Sequence, residues 1–188
     1  TGKCSRSIAN WPATPQSMSF SFPISGAVER GRVVWRGSGT SIVGVDFTVA
    51  GNAIVLDPLR TISSPVGCCL SDLSRDGQTL YFSLTDNVLA TLDLSSDGAI
   101  PVPFYTFVTT PYAAHRGSVN GDQTLLFIDE FEADSTTKLV RLTLPPAPIE
   151  RTVLPTYANG PFWPAANLDD GRIAFLEYVT GTNYCGQL

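Results

Sequence analysis

One phrase recurs along this chain and restricts its fold more than any other feature. It is clearest from Leu73 to Ser83, L-S-R-D-G-Q-T-L-Y-F-S. Asp76-Gly77 is a tight-turn signal. Beyond it, an extended chain puts Leu80 and Phe82 on one face and Tyr81 and Ser83 on the other. The phrase returns as N-G-D-Q-T-L-L-F-I from Asn120 to Ile128 and as D-D-G-R-I-A-F-L from Asp169 to Leu176. A fainter copy, A-G-N-A-I-V-L, runs from Ala50 to Leu56. A repeated turn-then-strand unit dictates a series of antiparallel hairpins. It speaks to architecture and carries no chemistry of its own.

The rest of the chain fits that frame. Residues 1–17, with Pro12 and Pro15, read as an irregular arm of a single domain spanning 1–188. Met18, Phe20 and Phe22 alternate with Ser19 and Ser21, a strand pattern. Arg32 to Arg36, Ser41 to Val49 and Ala53 to Leu56 read as strands, with a short edge strand expected between Pro58 and Pro65. Strands are predicted over 69–73, 79–84, 88–94 and 100–104. A second set is predicted over 113–119, 124–129, 138–144 and 149–154, and a last pair over 164–168 and 173–178. The final residues, G-T-N-Y-C-G-Q-L, read as irregular. No stretch keeps a 3.6-residue apolar period for three turns, so little or no helix is expected.

The recurring aromatic sets a spacing: Phe82 to Phe127 is 45 residues, and Phe127 to Phe175 is 48. Four strands in roughly 40–50 residues is the pattern of a β-propeller blade. One such blade has two apolar faces and needs a neighbour on each. The phrase S-R-D-G-Q-T-L-Y-F-S resembles the S-P-D-G-(K/Q)-x-(I/L)-x-F-(S/T) core of TolB-type, WD40-like propeller repeats. The resemblance is good over 68–103, moderate over 113–154 and weak over 41–57 and 164–178. Arg75 stands where that family has proline, and the Trp-Asp pair of true WD40 repeats is absent. The resemblance implies an all-β, propeller-like array of about four small antiparallel blades. Leu56 lies only 26 residues before Phe82, too few for a whole blade. Either the first blade is trimmed, or Ala53 to Leu56 is no true repeat. Strands from both termini sharing one blade would close the array and remove an exposed edge. Alternatives are an open partial propeller, half a propeller completed by another chain, and a β-sandwich built from the same hairpins.

Charge and cysteine usage bound the function. The net charge is −5 and no Lys/Arg run occurs, which argues against nucleic acid as a partner. No apolar run reaches ~18 residues, so no transmembrane helix is expected. No charged-then-apolar leader precedes the first strand, so secretion would imply a signal already removed, with Thr1 as the mature terminus. Cys4, Cys68, Cys69 and Cys185 include no C-x-x-C pair and no histidine at zinc-finger spacing. Their even number, with a Ser/Thr-rich acidic composition, favours an oxidising, extracellular setting. Four buried free thiols are the alternative reading. Ring closure would place Cys4 near Cys185, leaving the vicinal Cys68–Cys69 pair. The rival pairing bonds each terminal cysteine to one of that pair, and bonds between subunits are a third arrangement.

Candidate chemistry is sparse. His115, the single histidine, would serve as a general base only with Asp122 or Asp129 beside it. No nucleophile motif accompanies it, so a structural or solvated role is the plainer reading. Asp129, Glu130, Glu132 and Asp134 form an acidic cluster read as a loop, with oxygen ligands suited to calcium but no EF-hand order. A solvated loop is the plainer reading, and no other cofactor is expected. Trp11-Pro12 and Phe162-Trp163-Pro164 offer stacking aromatics for a sugar or peptide, or packing between blades. No phosphate loop, dinucleotide fingerprint or N-x-S/T sequon occurs. The expectation is a secreted or cell-surface, non-catalytic protein that binds or self-assembles as a homo-oligomer or polymer, for instance as a subunit of an extracellular filament. The alternatives are a propeller hydrolase, lactonase- or glycosidase-like and using Asp46, Asp72 or Asp129, and a fragment of a larger propeller protein.

Overall fold

Turn chemistry and period-two alternation together set the central described elements of this chain. The computed structural model describes residues 18–21, 29–36, 41–50, 53–63, 70–85, 87–96, 98–107, 117–131, 137–154, 162–167, 173–177 and 185–187; for 18–21, 29, 36, 63, 70–71, 131, 137 and the strands beyond 154 it describes the backbone alone. Every regular element among them is a strand.

The strands form four consecutive antiparallel sheets. The first holds β1 (Met18–Ser21), β2 (Glu29–Arg36), β3 (Ile42–Ala50), β4 (Ala53–Leu56) and β5 (Arg60–Ser63). The second holds β6 (Leu70–Leu73), β7 (Thr79–Thr85), β8 (Val88–Asp93) and β9 (Val102–Thr106) in that order. The third repeats it with β10 (Gly117–Val119), β11 (Leu125–Phe131), β12 (Thr137–Thr143) and β13 (Arg151–Val153). The fourth has β14 (Phe162–Asn167), β15 (Ile173–Glu177) and β16 (Cys185–Gln187). In the first sheet, β4 and β5 both pair with β3, against 47–50 and 42–44. They are one outer strand, interrupted at Asp57-Pro58-Leu59, where proline can supply no ladder N–H.

Turns lock the second and third sheets alike. The Ser74 carbonyl accepts from Gly77 N–H at 2.8 Å, and Ser74 N–H donates to the Thr79 carbonyl at 2.8 Å. Ser74 Oγ donates to Asp76 Oδ1, which also accepts from Gln78 N–H at 2.9 Å. Gly77 has φ 71°, which glycine tolerates at little cost. In the third sheet Asn120 replaces Ser74, Asp122 replaces Asp76, and Gln123, with φ 60°, replaces Gly77. Ser74 and Asn120 are 46 residues apart. The structural equivalent of Phe82 is therefore Ile128, and that of Tyr81 is Phe127. The 45-residue aromatic spacing is off by one, which in a strand means the opposite face.

Two apolar seams hold the first three sheets together. Val34, Ile42 and Ile62 of the first sheet meet Leu80, Phe82 and Leu92 of the second. Tyr81 and Leu89 on the other face of the second sheet meet Leu126, Ile128, Val140 and Leu142 of the third. Val33, Trp35, Val45 and Phe47 form a third cluster on the far face of the first sheet. The first strands of the sheets run side by side in chain order, β1 by β6, β6 by β10 and β10 by β14. Among the described residues β14 and β1 share no comparable contact.

Three expectations are corrected. Ala53 to Leu56 is an outer strand exposed along its whole length, so it is no copy of the buried second-strand phrase. The second strand of the first sheet is β2, whose R-V-V-W run buries Val33, Val34 and Trp35. Among the described strands the termini do not share a sheet: β1 and β2 join β3 by hairpins, and β14 to β16 pair with one another. Short connections favour these local pairings over a return across the chain. The end of the chain, read as irregular, contains β16, paired with β15.

Candidate functional site

Each seam carries a polar tie, and each opens into a polar cleft beside the turns. At the first seam, β2 and β3 place Arg32 directly opposite Asp46 on the face turned to the second sheet. Arg32 Nη2 donates to Asp46 Oδ2 at 2.8 Å, and Nε donates to Asp46 Oδ1. Arg32 Nη1 continues across the seam to the carbonyls of Gly77 at 2.8 Å and Leu94 at 3.1 Å. Arg60 from β5 joins the same group through Asp46 and the Leu94 carbonyl. The Arg32 hydrogen bond, aided by the charges of Arg32 and Arg60, holds the Asp46 carboxyl below its usual range. A planar guanidinium suits this task because its fork serves a carboxylate and backbone carbonyls at once. The cleft above the tie, about 420 Å³, is lined by Arg30, Arg32, Asp46, Thr48, Asp57 and Asp76 among others.

At the second seam the tie centres on a carboxylate. Asp72 on β6 accepts from Leu73 N–H at 2.8 Å and, across the seam, from Val119 N–H of β10 at 2.8 Å. A hydrogen bond from Ser118 adds to these. Burial outweighs the three donors and pushes the Asp72 carboxyl up to about 6. Tyr81, on the same seam, is pushed up to about 12 by burial and by the charges of Asp76 and Asp72. A smaller cleft of about 290 Å³ lies by the turns here, lined by Arg75, Asn120, Gly121 and Asp122.

The residues expected to do chemistry are not gathered in one place. Asp46 belongs to the first seam, Asp72 to the second. Asp129 is buried on β11, on the face opposite Ile128 and away from the second seam. The acidic cluster is corrected in part: β11 ends at Phe131 and not at Asp129, so Glu130 too sits in the strand and not in a loop. Consecutive strand residues point to opposite faces, so the pair cannot close on one ion side by side. Glu130 is buried and bound to Arg151 through Nη2 and through Nε at 2.8 Å. Among the described residues no group of three or more His, Cys, Asp and Glu side chains is placed to hold a metal. Glu132, Asp134, His115, Trp11, Cys4, Cys68 and Cys69 lie outside the described residues. Phe162 and Trp163 lie in β14 opposite Glu177 and Leu176, and Cys185 lies in β16 opposite Glu177.

Sequence reasoning missed the rim. Among the described residues, every large apolar side chain left exposed lies on or next to an outer strand. Ile54, Val55 and Leu56 are on β4, and Leu59 is in the break before β5. Ile100 precedes β9, Val102 lies on it, and Val153 lies on β13. The signal was present in A-I-V-L, an apolar run too short and too unbroken to have a polar face. No helix among the described residues is long and apolar enough to cross a membrane. No protein-family model matches this chain, and comparison with curated proteins likewise found no match.

Proposed function

We propose that this chain is a secreted or cell-surface, non-catalytic β-propeller-like module that acts by binding or self-assembly. The observation that carries the reading is the rim. Apolar side chains that could have been buried or replaced are instead presented on the outer strands. Exposed apolar groups on unpaired strand edges are the chemistry of strand addition. The propeller-like reading is supported by four meanders in chain order whose first strands lie side by side. Head-to-tail contacts between such units that fail to close would build a filament. The cysteine count and the Ser/Thr-rich acidic composition support an extracellular setting.

A hydrolase would need an accessible carboxyl able to trade protons. Asp72 has the raised pKa, but its oxygens are engaged by Leu73, Val119 and Ser118 between two strands. That arrangement is a structural tie, which favours the non-catalytic reading over the lactonase- or glycosidase-like one. Sedimentation at increasing concentration tests the proposal. The expected result is a mass that rises with concentration; a monodisperse monomer throughout would remove the assembly function.

A further inference from the structure

The outer strands of the first three sheets differ in how their edges are guarded, and the difference singles out one of them. Natural sheets protect edges with proline, charge, bulges or a cover. β9 contains Pro103 and a register shift against β8. β13 has three residues and opens with Arg151, tied to Glu130. β5 is covered: Gly98 N–H of the second sheet reaches the Ile62 carbonyl at 3.4 Å, and Ile62 is buried. Among the described residues β4 has none of these. Its pairing with β3 is regular from Phe47–Leu56 to Ala50–Ala53, and it holds no charge and no proline. Among the described residues it pairs with β3 alone. Ile54 and Val55 are 53% and 56% exposed.

Resting on the assembly reading above, we propose that β4 pairs edge to edge, antiparallel, with β4 of a second copy of this chain. A bare edge offers a row of N–H and C=O groups, so its occupant is an extended strand. The occupant must be apolar on both faces, because Ile54 and Leu56 lie on one face of β4 and Val55 on the other. β4 itself meets both conditions. Charge agrees: copies carrying −5 each repel, and β4 gives them an uncharged strip on which to meet.

The register follows from strand geometry. Residues directly opposite in an antiparallel pair point to the same face. A two-fold axis normal to the sheet must therefore pass through a residue and not between two. Centred on Val55, it sets Val55 against its own copy and Ile54 against Leu56 of the second copy. All three exposed side chains then gain partners. Four residues a side fall well short of a standard interface of about 1,200–2,000 Å², so the contact is weak and concentration-dependent.

The test uses the full chain. The intact protein should gain mass with concentration in sedimentation equilibrium, with amide exchange at 53–56 slowing in step. Val55→Lys sets two lysines directly opposite and should weaken association by roughly tenfold or more. Val55→Thr, which keeps strand propensity without charge, should weaken it less. Val102→Lys on β9 should leave it unchanged. If association persists in Val55→Lys with unchanged exchange at β4, the β4 contact is wrong and the assembly reading stands. If the intact chain stays monomeric at millimolar concentration, both are wrong.

Discussion

The seams and the rim follow opposite rules. In the seams, apolar side chains are fully covered and each polar tie has its partners: Arg32 reaches Asp46 and two carbonyls, and Asp72 receives two backbone N–H groups and Ser118. On the rim, apolar side chains from Ile54 to Val153 stand in water beside open strand edges. The contrast separates what holds the sheets together from what they present. A change in a seam should cost folding and leave association to follow passively. A change at β4 on the rim should touch association and leave folding alone.

Phe82 should give the largest effect. It is fully buried in the first seam, and truncation to alanine removes most of a ring and leaves a cavity. Phe82→Ala should cost about 4 kcal/mol by urea denaturation. A loss below about 1 kcal/mol would mean that the seam is not where stability resides.

Asp72 comes next, and its effect has a sign. Its folded pKa, about 6, lies above its unfolded value near 3.8. The folded state therefore holds the proton more tightly. The contribution is complete below about pH 3.8 and is lost as pH rises through about 6, on the order of 3 kcal/mol. Asp46 runs the other way: its lowered pKa contributes stability above the unfolded value and loses it as pH falls. Between about pH 4.5 and about pH 7.5 the Asp72 effect dominates. Asp72→Asn should flatten the fall in urea midpoint across that range. An unchanged slope in the variant would assign the pH dependence to another group.

Arg32→Ala should cost about 2 kcal/mol, less than the 3–5 kcal/mol of a fully buried pair, because Asp46 remains partly exposed and keeps Arg60. Arg32→Lys should recover only part, since a point charge cannot serve the carboxylate and both carbonyls together. Smallest of all, Ile54→Thr on the rim should shift stability within about 0.5 kcal/mol. A loss of several kcal/mol there would show that β4 belongs to the folding core and would erase the contrast.

How much of this was legible in the sequence follows the range of each interaction. The hairpins were, because Asp76-Gly77 and Asn120-Gly121-Asp122 act within six residues and the alternation behind them acts within one strand. The face of each strand was also readable: Leu80 and Phe82 do part from Tyr81 and Ser83. The repeat length was one residue out because Phe82 and Phe127 look alike while facing opposite ways. The ties were hidden, since Arg32 meets Gly77 and Leu94 across 45 and 62 residues, and no local pattern marks such a partner. Glu130 looked like the start of a ligand loop because composition alone cannot show that β11 continues through it. A-I-V-L looked like a repeat because its spacing after Gly51-Asn52 copies a turn-then-strand phrase; only burial separates an outer strand from an inner one.

The central claim is that these units meet through their rims. Electron microscopy of the native particles, at a concentration where sedimentation shows association, tests it most directly. The account predicts compact units joined at their outer strands, in pairs or strings. Units that stay separate, or that join through the side where β1, β6, β10 and β14 lie, would contradict it.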